Sequence, residues 1–331
     1  MTAVANGLAV SSNASINRTM VIADKQAVAR DVVALTLADA RGDKLPAWTP
    51  GAHLDLEIKP GLVRQYSLCG TVDDDQRWTI AVLREEQGRG GSRAVHDDLQ
   101  KGATVRALAA RNKFPLEPAA GYLFIAGGIG ITPIIPMLAA ADAERRPWRL
   151  YYGGRNRDSM AFAHQLATRY DSSVQILPED ECGLLDVDAI VGSMSGDQHV
   201  YCCGPPGLLA AVEARFTDAT RHLLHTERFS PVGASDDRLA EDGPVEVTLR
   251  RSGKTIVVPP GQSILDALRD DYGMDLVSGC EQGICGTCET RVLEGTPDHR
   301  DEVLSAAERA ESATMMICVS RSRDGALTLD L

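Results

Sequence analysis

The sequence predicts a multidomain protein of class α/β plus β, with an antiparallel β-barrel, a doubly wound parallel α/β domain and a C-terminal β-grasp domain in that order. Three observations predict it. Short alternating apolar segments fill residues 19–105; from Tyr122 the rhythm becomes strand, turn, helix; and Cys280, Cys285, Cys288 and Cys318 near the C-terminus are spaced C-x4-C-x2-C-x29-C. A chain of 331 residues exceeds one ordinary core and suggests two or three domains.

Residues 1–17 are small and polar without periodicity and read as a flexible tail. Residues 18–117 form the predicted barrel. Its strands are read at Val32–Leu35, His53–Ile58, Tyr66–Leu68 and Trp78–Leu83, separated by Gly, Pro and Asp turns. In Arg64-Gln65-Tyr66-Ser67-Leu68 the period of two sets Arg64 and Tyr66 on one face and Ser67 on the other. A guanidinium, an aromatic ring and a nearby hydroxyl suit a planar ring system with a phosphate tail. Downstream, Gly88-Arg89-Gly90-Gly91-Ser92 precedes a helical stretch, offering bare N–H groups, a positive charge and, in Ser92, a candidate N-cap hydroxyl.

Residues 118–229 carry the alternation of strands and helices that indicates a parallel sheet with crossover helices. The turn Gly127-Gly128-Ile129-Gly130-Ile131-Thr132-Pro133 lies between a strand and a helix, where backbone N–H groups can meet a pyrophosphate. It departs from G-x-G-x-x-G, because Pro133 stands in the place of the last glycine. Tyr201-Cys202-Cys203-Gly204-Pro205-Pro206 follows a later strand and puts a thiol at the same carboxyl edge, where ligands bind in this architecture. Arg155 and Arg157, after the second strand, leave the nucleotide open, since either could meet a 2′-phosphate. His222 and His225 form no ligand pattern and read as core or edge packing.

Residues 230–243 are turn-forming and charged and read as a linker. In residues 244–331, Val245, Val247 and Leu249 alternate, and a helix is predicted from SILDALRDDY with Ser263 as its N-cap. The cysteine spacing is the plant-type ligand pattern of a two-iron two-sulfur cluster. Gly279, Gly283 and Gly286 are expected to supply positive φ angles and N–H groups that approach the sulfurs. Structural zinc generally takes paired C-x2-C knuckles or Cys/His mixtures, and no His lies inside this loop.

A net charge of −12 and a pI near 5.1 argue against nucleic acid and against an anionic membrane surface as partners. No apolar run spans a membrane and the N-terminus lacks a charged, then apolar, leader, so the expected location is cytoplasmic. Residues 244–331 hold 9 Lys/Arg against 15 Asp/Glu, and the linker one Arg against four acids. That concentration of charge suits an acidic face that steers a basic partner.

Together, R-x-Y-S-L, G-R-G-G-S, G-G-I-G-I-T-P, Y-x-C-G-P and the C-terminal cluster motif resemble the phthalate dioxygenase reductase family, vanillate demethylase reductases included, within the ferredoxin-NADP reductase superfamily. The resemblance covers about residues 18–331. It implies FMN, a 2Fe-2S cluster and NADH, with NADPH the less favoured nucleotide, and a monomer passing electrons to a Rieske-type terminal oxygenase. By the same resemblance Arg64, Tyr66 and Ser67 contact the flavin, and Arg64, Arg89, Gly91 and Ser92 surround its phosphate. Gly128, Gly130 and Thr132 line the dinucleotide. Ser67, near the reactive ring edge, and Cys203, close to the nicotinamide, are the implied catalytic residues, and Phe229 corresponds to an aromatic that covers the flavin. Cys280 and Cys285 would hold one iron, Cys288 and Cys318 the other. The same layout could also feed a haem monooxygenase or serve as a redox sensor.

Overall fold

The computed structural model describes residues 13–88, 90–229, 242–274 and 276–331. The chain divides into two compact units, one ending at Arg228 and the other starting at Phe229.

In the first unit, β1 (Asn13–Ala29), β2 (Val32–Asp39), β3 (Ala52–Lys59), β4 (Leu62–Ser67), β5 (Trp78–Leu83) and β6 (Thr104–Asn112) form an antiparallel sheet in the order β4-β3-β6-β1-β2-β5. A bridge between Leu68 and Ile80 joins its two outer edges, so the sheet closes into a barrel and leaves no long open edge. Inward residues, among them Leu35, Leu37, Leu54, Leu56 and Trp78, fill it. Helix α1 (Gly91–Asp97) adds Ala94 and Val95 to that core. Lys25 on β1 donates to the carbonyls of Val95 (3.1 Å), His96 (2.7 Å) and Leu99 (2.6 Å). A cation at the negative end of the helix satisfies carbonyls that lack partners and holds α1 in place.

β1 begins at Asn13, and Asn13–Ser15 pair with Ala109–Arg111. Residues 13–17 therefore belong to the barrel and not to the tail that composition assigns to 1–17. The ladder uses backbone groups, which a polar sequence supplies as well as an apolar one.

Also in this unit, β7 (Tyr122–Gly127), β8 (Trp148–Gly154), β9 (Val174–Pro178), β10 (His199–Cys203) and β11 (Leu224–Glu227) form a parallel sheet ordered β11-β10-β7-β8-β9. Helices α2 (Ile131–Ala143) and α3 (Ala163–Tyr170) bury Ile134, Met137, Leu138 and Leu166 against one face. After the single turn α4 (Glu179–Cys182), α5 (Val187–Gly192) and α6 (Pro206–Glu213) cover the other with Ile190, Leu209 and Val212. With both faces covered, β7 is buried at every position and reads as a continuous apolar run. Strand order reverses between β7 and β10, and the carboxyl ends of strands at such a switch point are where this architecture binds ligands. An apolar seam of Val32, Cys69 and Ala81 against Ala161, Ile129 and Phe162 fastens the barrel to this sheet.

The second unit has a mixed sheet of β12 (Val245–Leu249), β13 (Lys254–Val258), β14 (Glu289–Glu294), β16 (Thr314–Met316) and β18 (Ala326–Leu329), ordered β13-β12-β18-β14-β16, and a small pair, β15 (Pro297–Asp298) with β17 (Arg321–Ser322). β12 and β18 run parallel at its centre, the β-grasp arrangement. Ser263 does cap the predicted helix, accepting from the Asp266 N–H at 3.0 Å. The helix itself is only α7 (Ile264–Asp266), and Ala267–Asp271 continue as a wider π turn that still buries Leu268. A last helix, α8 (Ala306–Glu311), starts with a Ser305/Glu308 capping box. Of the predicted linker, 230–241 lie outside the described residues. Its end is fixed: Asp242 receives two hydrogen bonds from Arg300, at 2.7 and 2.8 Å.

Candidate functional site

The two turns singled out in the parallel sheet meet at its switch point. Gly127 lies so near the Cys203-Gly204-Pro205 turn that a Cβ there would stand 2.6 Å from Pro205 Cδ, and a Cβ on Gly130 would collide with the Cys203 carbonyl. These glycines are required by close approach, whereas Gly128 is required by its φ of 54°. Thr132 is buried and donates to the Ile129 carbonyl at 3.0 Å, which tightens the turn. Cys203 is fully buried. Burial, with the Glu227 carboxyl and Cys202 alongside, pushes its thiol well above the usual range, so it is held neutral.

Glu227 is a residue that sequence reasoning missed. It ends β11, directly beside Cys203 in the ladder. Its carboxyl is buried and shares a hydrogen bond with Ser67 of the barrel, while Oε2 has no partner. Burial pushes its pKa up to about 8. Ser67, Cys203 and Glu227 thus collect at the junction of barrel and parallel sheet. The signal that could have found Glu227 is an acid at the carboxyl end of a parallel strand, the edge where ligands bind.

On the barrel, Arg64 and Gly91 converge. A Cβ on Gly91 would lie 2.7 Å from Arg64 Cγ, so only glycine lets that side chain cross the start of α1. Tyr66 packs against the barrel core, and burial raises its phenol. The expected N-cap role of Ser92 is not seen. Gly90, at φ 80°, precedes the helix with no side-chain cap, and Ser92 Oγ instead accepts from the Glu85 N–H at 3.0 Å. That bond ties the phosphate-type loop to the end of β5. Arg89 lies outside the described residues. Phe229 is exposed and falls at the first residue of the second unit.

In the second unit Cys280, Cys285, Cys288 and Cys318 are all buried, at 5–6% exposure. Backbone N–H groups turn toward sulfur: Gln282 (3.3 Å) and Ile284 (3.4 Å) donate to Cys280, Thr287 (3.4 Å) to Cys285, and Gly283 to Cys318. Gly283 and Gly286 have φ of 71° and 77°, as expected. Gly279 does not; the left-handed position is taken by Glu281, φ 53°, whose carboxylate is anchored by Arg269 and Ser278. Thiols so close repel as anions, and with burial this raises Cys280 and Cys318, each through its hydrogen-bonded neighbour, Cys285 and Cys288. Iron would relieve that repulsion. Among the described residues no three His, Cys, Asp or Glu side chains close on a single ion. A two-iron cluster has no such need, since its four thiolates divide between two metals.

Comparison with known proteins follows the same division. Residues 124–214 match the oxidoreductase NAD-binding domain family and residues 247–323 the 2Fe-2S iron-sulfur cluster binding domain family. The chain is 41% identical over 304 residues to the phenoxybenzoate dioxygenase subunit beta of Ectopseudomonas oleovorans, covering 92% of this chain and 94% of that one. The solved structure of phthalate dioxygenase reductase, described as modular for electron transfer from pyridine nucleotides to [2Fe-2S], superposes with a TM-score of 0.71 at 37% identity, over 96% of this chain and 98% of that one. This chain belongs to the phthalate dioxygenase reductase family. An intact type IV self-sufficient cytochrome P450 monooxygenase matches with a TM-score of 0.85 at 42% identity; the match takes in 96% of this chain but only 41% of that longer protein.

The phthalate dioxygenase reductase fold is an NAD-binding, iron-sulfur flavoprotein oxidoreductase, and the residues present fit its groups. Four converging thiols with inward N–H donors fit the cluster. The Gly127–Gly130 turn pressed on Cys203 fits a dinucleotide; Arg64 crossing Gly91 fits a phosphate tail, and the buried Glu227 with one unpartnered oxygen beside Ser67 fits the polar edge of a flavin.

Proposed function

We propose that this protein is the reductase component of a two-component Rieske-type aromatic oxygenase or demethylase, drawing electrons from NADH. The observation that carries the reading is that one chain joins a dinucleotide edge, a buried Ser67/Cys203/Glu227 junction and a four-thiol loop, with whole-length similarity to oxygenase reductases. The bound flavin and cluster supply the conversion of a two-electron donor into single electrons.

The chain's own residues do the placing. Gly128, open on its Cβ side, leaves room for the diphosphate, Gly130 and Thr132 line the turn that would hold it, and the neutral Cys203 thiol would pack beside the nicotinamide without attacking it. Ser67 and Glu227 share a hydrogen bond where a flavin ring would lie, and Glu227, protonated near neutral pH, would hold a proton there that Ser67 could relay. Arg64, Arg89, Gly91 and Ser92 would hold the flavin phosphate, and Tyr66 would flank the ring. Cys280, Cys285, Cys288 and Cys318 cage the irons. The acid-rich cluster unit meets a basic face of the oxygenase.

A haem monooxygenase as acceptor is the second reading, favoured by the match to the self-sufficient cytochrome P450 monooxygenase. Titrating the purified holoprotein with a Rieske oxygenase and with a P450, and following NADH consumption, separates the two. Turnover with the oxygenase supports the first; turnover only with the P450 overturns it.

A further inference from the structure

The strand order fixes where each part of a dinucleotide falls. Cys203, Ala126, Tyr152 and Ile176 stand in register across β10, β7, β8 and β9. With the nicotinamide beside Cys203 and the diphosphate on the turn after β7, the adenosine end must extend over the carboxyl ends of β8 and β9, each about 4.8 Å further along. The placement rests on the nucleotide site given under Proposed function.

At those two ends the structure holds an ion pair. Arg157, after β8, meets Glu181, in the turn after β9, through Nε to Oε1 at 2.7 Å and Nη2 to Oε2 at 2.8 Å. The two segments are joined again by the Asp180 N–H on the Arg155 carbonyl at 3.2 Å. Of the nearby charges, Glu179 and Asp180 are exposed acids, Arg155 is an exposed cation, and Asp158 is engaged by Arg30 at 2.5 Å. The pair's side chains are 59% and 45% exposed, so it adds little to stability, and its geometry is free to serve binding.

We infer that the Arg157–Glu181 pair is the specificity determinant that makes this reductase prefer NADH: the Glu181 carboxylate occupies the fork of the arginine that a 2′-phosphate would need. A dianionic phosphate must displace two charge-assisted hydrogen bonds and then sit among carboxylates. A ribose 2′-hydroxyl carries no charge and can donate to the Glu181 carboxylate instead. Of the two arginines that make the sequence ambiguous, Arg157 is thus answered by an acid from the turn after the neighbouring strand.

The test is the ratio of kcat/KM for NADPH to that for NADH, measured on the holoprotein with ferricyanide, for wild type, E181Q, E181A and the double variant E181A/R157A. Both single variants should raise the ratio about tenfold, the factor that corresponds to one pKa-unit-sized interaction. The gain should lie in the KM for NADPH, and adding R157A should abolish it. A ratio that stays at the wild-type level in both single variants overturns the inference, as does a gain that survives the loss of Arg157. Failure of the wild type to oxidise NADH at all would instead count against the proposed function.

Discussion

Two glycine-rich turns with cysteines carry this protein's chemistry, and they treat sulfur in opposite ways. Around Cys280 and Cys285 the backbone turns its N–H groups onto the sulfurs, which stabilises thiolates and the negative charge of a cluster. Cys203 is buried as deeply, yet its named electrostatic neighbours are an acid and another thiol, which hold it protonated. Cysteine alone therefore says little about role. The donors around it decide between metal ligand and neutral packing group.

The contrast is broken most severely by Cys285→Ser. The visible absorption and reduced-state EPR signal of the cluster should vanish and delivery to an iron-sulfur partner should fall to background, while NADH-driven reduction of ferricyanide survives. Full activity toward the partner would contradict the ligand assignment.

On the other turn, Gly130→Ala drives a methyl group into the Cys203 carbonyl. Overpacking of this kind costs about 1–3 kcal/mol. The expected outcome is a lower melting temperature and a higher KM for NADH with the cluster spectrum unchanged; a variant with wild-type melting and KM would show that the two turns are not held together.

The neutral character of the second site has a pH signature. The folded pKa of Glu227 is raised from 4.5 to about 8, so between those values the folded state binds more protons than the unfolded one. Stability should accordingly fall as pH rises through that window, by up to about 1.4 kcal/mol per unit. Glu227→Gln should flatten that slope in denaturant melts at pH 5, 6.5 and 8. An equal slope in both proteins would place the titration elsewhere.

The smallest effect belongs to the cluster loop. The Thr287 hydroxyl lies 3.2 Å from Cys285 Sγ, and Thr287→Val removes that polar contact while the backbone N–H remains. Hydrogen bonds to sulfur raise the potential of such clusters, so the midpoint should move negative by roughly a few tens of mV. A positive shift in a redox titration would show that the hydroxyl does not donate to the sulfur.

Features written locally in the chain are legible from the amino acids alone. The cysteine spacing, the Gly127–Gly130 turn, the Ser263 cap and the change of rhythm at Tyr122 each depend on residues close together, whose periodicity and backbone freedom follow from identity. What the sequence misplaces turns on partners far away. Ser92 looks like a cap until the segment after β5 presents the Glu85 N–H to it, and Gly279 looks like the left-handed residue until Arg269 and Ser278 hold Glu281 in that role. Glu227 does not stand out in the sequence, because an acid near a strand end is ordinary until burial and a serine 160 positions earlier give it a raised pKa.

The sequence by itself determined the order of elements, the spacing of the four C-terminal cysteines and most of the turns that need glycine, since each is a property of short segments. Only the tertiary structure decided which charges are buried, which arginine is already taken by a carboxylate and which thiol stays protonated. Electrostatics in a folded chain depends on what distant strands bring within a few Å and on how much water they remove, and neither quantity is carried by neighbours in sequence.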